Sequence, residues 1–112
     1  PYVQPFDLGL YERKINERQS QYDSNLSDIN EARKGIETLL QYVKNPNYNL
    51  ILTYYKAVVE WGNNLDVSNT RIRNDYMIRL NSIYTAIDFC IKNSEFIIPN
   101  DFFINFENEL RE

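Results

Sequence analysis

The sequence predicts an all-α fold: a small bundle of three to four helices, the first one long and preceded by an extended arm. Two observations carry this reading. Apolar residues return at steps of three and four through most of the chain, the period of helices that bury one face. Only three glycines and four prolines punctuate the 112 residues, whereas a β-sandwich or barrel needs a turn roughly every ten residues. No parallel-sheet pattern, internal repeat or low-complexity tract is present. The expected organisation is an arm at 1–6 and a single helical domain at 7–112.

The first helix is the clearest. Leu8, Ile15, Tyr22, Ile29, Ile36 and Val43 recur every seven residues, and Tyr11, Arg18, Asn25, Ala32 and Leu39 fall between them. These are the a and d positions of a heptad, with polar residues at two central d positions. Asp7 is a suitable N-cap, and Asn45-Pro46 stops the pattern, since proline disfavours helix in the residue before it. A continuous helix over 8–43 would run ~54 Å. Asp28 with Glu31 offers a capping box, and so an alternative second start within "DSNLSDINE".

The segment 47–63 is apolar on most sides, with Ile51, Tyr54, Val58 and Trp61 on one stripe and Leu50 and Ala57 beside it. Its β-branched and aromatic residues would suit a strand, but its length and the Gly62-Asn63-Asn64 stop favour helix. Of the adjacent Tyr54 and Tyr55, helical geometry allows only one a central core position. A third helix is expected from an N-cap at Ser68 to Asn93. Ile72, Tyr76, Leu80, Ile83, Ile87 and Ile91 form its stripe, and Arg71, Arg73 and Arg79 lie off it, towards solvent. A short terminal helix from Asn100 or Asp101 would place Phe103, Phe106 and Leu110 on one face.

Composition excludes several chemistries. The chain has no histidine and a single cysteine, Cys90. That removes disulfides, Cys/His zinc sites, Cys–His nucleophile pairs and Ser-His-Asp triads. The formal charge of −4 speaks against nucleic-acid binding. The imbalance sits in residues 94–112, which hold one basic and five acidic side chains. No apolar run approaches the ~20 residues that span a bilayer. Carboxylates alone are left for acid–base work; Glu60, Asp66, Asp75 and Asp88 read as caps and solvated faces. No cofactor or metal is expected. Cys90 falls beside the third stripe and reads as a small buried hydrophobe. The sequon Asn25-Leu26-Ser27 lies within a helix, a poor place for a glycan. Nine tyrosines suit a core rim and a protein-binding surface equally.

The opening, "PYVQPFDLGLYERK…QSQYDSNLSDI", resembles the start of structural proteins of tailed bacteriophages that infect Bacteroidetes. The likeness rests on Tyr2, Val3, Pro5, Phe6, Gln19, Gln21, Tyr22 and Asp23, and covers about the first 30 residues. It implies a virion component of a portal, neck or tail, whose extended arm inserts into a neighbour.

The function expected from these features is a non-enzymatic structural or adaptor protein. Its partner is a protein or a second copy of itself, within an oligomer or larger assembly. The candidate partner-binding residues are Tyr2, Val3 and Phe6 of the arm with Leu8, Tyr11, Ile15, Arg18 and Tyr22 of the first helix. The polar d positions predict that 8–25 is exposed or pairs with another chain, while 29–43 packs on the following helices. The alternative is a small acidic binding module of the immunity or antitoxin type, with the tail 94–112 as its contact.

Overall fold

A computed structural model describes residues 7–105 and 108. It contains three helices: α1 (Leu8–Leu40), α2 (Pro46–Gly62) and α3 (Thr70–Lys92). No strand occurs among the described residues. The arm at 1–6, with Tyr2, Val3 and Phe6, lies outside them, as do Phe106 and Leu110.

Asp7 caps α1 as expected, its carboxylate accepting the Leu10 N–H at 3.0 Å. The helix then runs unbroken through 23–28. Asp28 does not restart it; its carboxylate instead pairs with Arg73 at 2.8 Å. α1 ends at Leu40, three residues before the periodic pattern does. Val43 stays buried in the turn that follows, where its N–H bonds the Leu40 carbonyl. Asn45 adopts φ 64° and ψ −165°, a positive-φ conformation outside the left-handed helical well that glycine enters far more readily than other residues. Its side chain accepts the Asn47 N–H, and Pro46 takes the first position of α2, where its missing N–H costs nothing.

A Cβ at Gly62, the last residue of α2, would fall 1.9 Å from the Tyr76 ring, so glycine lets this end of the helix pack closely on α3. The N-cap of α3 is Asn69 rather than Ser68. Asn69 accepts the N–H groups of Arg71 and Ile72, while the Ser68 hydroxyl bonds Asp66.

α1 and α3 run side by side in the same direction, since Asp28 meets Arg73 and, two turns on, Ile36 shares a groove with Leu80. α2 returns antiparallel to both. The core joins Ile29, Ile36 and Leu40 to Ile51, Tyr54 and Val58 and to Tyr76, Leu80, Ile83 and Ile87. Cys90 is buried beside them, and burial pushes its thiol pKa up. Three expectations are corrected. Ile91 is exposed, because the chain after α3 packs on the Cys90 side instead. Arg73 and Arg79 are half-buried, Arg79 resting its guanidinium 4.5 Å over the Trp61 ring. And Tyr54 and Tyr55 are both buried: α2 is covered on two sides, so Tyr55 can lie under α1 with its hydroxyl donating to Glu37 at 3.0 Å.

Burial pushes the Tyr55 phenol up to about 12 from an ordinary 10. The folded state therefore favours the neutral phenol, a contribution complete below pH 10 and lost as pH rises towards 12. Between these limits the wild type should lose on the order of 2 kcal/mol more than Tyr55→Phe, read from urea unfolding at stepped pH. Parallel stability curves would contradict this.

Beyond α3 the chain folds back over the base of the bundle. Asn47, buried, donates to the Phe96 carbonyl and accepts the Ile98 N–H, both at 2.6 Å. Phe103 stacks on Tyr54 with ring centroids 4.3 Å apart, so this residue is in the core as the sequence predicts. The expected terminal helix is seen only as turns at 100–103 and a helical start at 104–105.

Candidate protein-binding surface

The heptad of α1 changes character where the bundle ends. Asn25, Ile29, Ile36 and Leu40 are buried, Tyr22 is half-buried, and every residue from Leu8 to Gln21 is exposed. The division expected between the two halves of α1 thus falls at Tyr22–Asn25. At this level the α2–α3 loop crosses α1, leaving α1 to project beyond the other two helices. The molecule measures 74 Å along its longest axis against 27 and 16 Å across.

Two polar d positions fasten the crossing. The Asn25 amide donates to the Val67 carbonyl at 2.7 Å and its oxygen accepts from Gln21 at 2.9 Å. With Asn25 buried, the sequon is inaccessible. Arg18 forms an ion pair with Asp66 and donates from Nε to the Ser68 hydroxyl at 3.2 Å. The Ser68 hydroxyl, and after it the Arg18 guanidinium, hold the Asp66 carboxyl below its ordinary range. A polar group in a helix seam fixes register by rejecting misaligned partners. Here it sets the level at which the chain's own loop meets α1. Arg18, a candidate partner contact, is therefore already engaged within the chain.

No family model, curated protein or solved structure matches this chain.

Of the candidate partner residues, Leu8, Tyr11 and Ile15 lie on the projection, 58%, 53% and 49% exposed. At 100° per residue they fall within about 60° of arc, in line with the buried seam below. Glu12 and Lys14 flank this stripe on opposite edges. Three adjoining large apolar residues in water are a liability for an isolated monomer and a resource for an assembling one.

The candidate carboxylates are not gathered. Asp66 is held by the loop and Arg18, Asp88 pairs with Lys92 at 2.9 Å, and Asp75 and Asp88 stand ~20 Å apart along one helix. No cluster able to hold a metal ion occurs among the described residues. No helix among the described residues is long and apolar enough to cross a membrane.

A second apolar surface escaped the sequence reading. Ser82, Thr85, Ala86, Phe89 and Cys90 of α3 line a groove of about 320 Å³ with Phe96, Ile98 and Phe102 of the returning chain. Phe89 and Phe96 meet edge to face at 4.9 Å, yet Phe89 and Phe102 remain nearly half exposed. The signal was Phe89, an aromatic residue off its helix's core stripe. Its partners lie in an irregular segment with no period to reveal them.

Proposed function

We propose that this chain is a non-enzymatic structural or adaptor protein that assembles with other protein through the projecting N-terminal half of α1. The observation that carries the reading is the stripe of Leu8, Tyr11 and Ile15: it continues a core seam past the end of its own bundle. A seam that outlasts its partner helices is the form of a site whose partner arrives from another molecule. The arm at 1–6 adds Tyr2, Val3 and Phe6 immediately before the stripe, and its two prolines lower the entropy lost on docking. The setting suggested by the likeness of the first 30 residues is a phage portal, neck or tail.

The test is a photo-crosslinking side chain at position 15, with Lys34 on the exposed side of the bundle as control. In its native setting the chain should give one discrete adduct from position 15, its mass identifying the neighbour, and none from 34. Equal or diffuse labelling at both positions would overturn the reading.

A further inference from the structure

The joint between α1 and α2 is strained. Among the described residues Asn45 is the only non-glycine with positive φ, and its φ 64° and ψ −165° lie in a region that glycine alone enters freely. Pro46 follows, and a residue before proline prefers an extended backbone with φ near −120°. The ψ of Asn45 is already extended, so the misfit lies in φ. Roughly half a turn about its N–Cα bond would release the strain and give the conformation that Pro46 favours.

Such a rotation would swing α1 off the rest of the bundle. Although α1 and α2 are neighbours in the chain, their backbones approach each other least, and each packs chiefly on α3. α1 is thus a separable layer. Its heptad runs on to Val43 while the helix ends at Leu40, so the turn at 41–43 also forms against the local helical pattern.

We infer that this joint is a hinge for exchange: two copies trade α1, each laying it on the α3 of the other. The partner is fixed by the seam itself, because every contact that α1 makes within its own chain re-forms between chains. Ile36 again faces Leu80, and Asp28 again meets Arg73. Asn25 again donates to the Val67 carbonyl, and Arg18 pairs with Asp66. No new surface is needed, only an opened joint, and a short strained connection favours that opening. The stripe of Leu8, Tyr11 and Ile15 lies outside the exchanged core, so a dimer of this kind carries it twice.

The test uses full-length chain unfolded in urea and refolded at about 1 mM, then separated by size exclusion with light scattering. A dimer should form, and after dilution it should revert slowly, because α1 must leave one core before it enters another. An equal mixture of isotope-labelled and unlabelled chains, refolded together, should show nuclear Overhauser contacts between Ile36 of one copy and Leu80 of the other. Asn45→Gly relieves the closed form and should weaken the dimer at least about tenfold, since the strain is released twice per dimer. Asn45→Val sets a β-branched residue at positive φ and should strengthen it. Ile15→Asp should leave it intact. Refolded wild type that is monomeric throughout, a dimer without the Ile36–Leu80 contact between copies, or a dimer unmoved by both Asn45 variants would each overturn the inference. A dimer abolished by Ile15→Asp would overturn it too, and would credit the projecting stripe instead.

Discussion

Ile36→Asp should abolish the folded state, whereas Ile15→Asp should leave the melting temperature of the dilute monomer within about 3 °C of wild type. The two residues occupy equivalent a positions of one helix, three heptads apart. Ile36 is 1% exposed, facing Leu80 across the α1–α3 seam, and Ile15 is 49% exposed with no helix opposite it among the described residues. A carboxylate at 36 would be desolvated within the α1–α3 seam, at a cost of several kcal/mol beyond the lost packing. Domains of this size hold roughly 5–15 kcal/mol in all. Circular dichroism melts of the two variants decide the matter. Similar destabilisation by both would mean that the projection packs on its own bundle.

Ile87→Ala should cost about 2–5 kcal/mol, the range for emptying a fully enclosed aliphatic site. Ile87 has no accessible surface and lies one turn from Ile83, which is equally enclosed. Walls held from three helices cannot collapse far into the space, so the cost should fall in the upper part of that range. Arg71→Ala, on the exposed side of α3, should stay within about 0.5 kcal/mol. Arg73 is not a fair control, because its guanidinium bonds Asp28 and is three-quarters covered. Urea denaturation measures both. A small effect at Ile87 would place the core on another face of α3.

What was legible in the sequence was periodic. The repeat of Leu8 through Val43 predicts α1, and its polar entries at Arg18 and Asn25 mark where burial stops. Gly62 predicts the end of α2, though its close approach to the Tyr76 ring belongs to tertiary packing. The bonds that organise the ends of the bundle join residues far apart in the chain: Arg18 to Asp66, Asn25 to Val67, Asn47 to Phe96 and Ile98. Local pattern cannot announce such pairings. Ser68 and Asn69 both satisfy the chemistry of a cap, and only the claim of Asp66 on Ser68 separates them. The aromatic groove was hidden for a related reason, since half of it comes from a segment without a helical period.

The projection of α1 also has a kinetic character. Ten or so residues of isolated helix do not hold together in water, because the first turn must order several residues for a single hydrogen bond. Residues 8–17 escape that cost: the turns around Asn25 and Ile29 are already ordered by the bundle and serve as a nucleus from which the helix grows towards Asp7. Growth from a seed of this kind takes only nanoseconds per residue. The free tip can therefore unwind and rewind many times during one encounter with another molecule. Its amide hydrogens should exchange outward-in, those nearest Asp7 first, with protection rising stepwise towards Asn25. A bound neighbour would flatten that gradient.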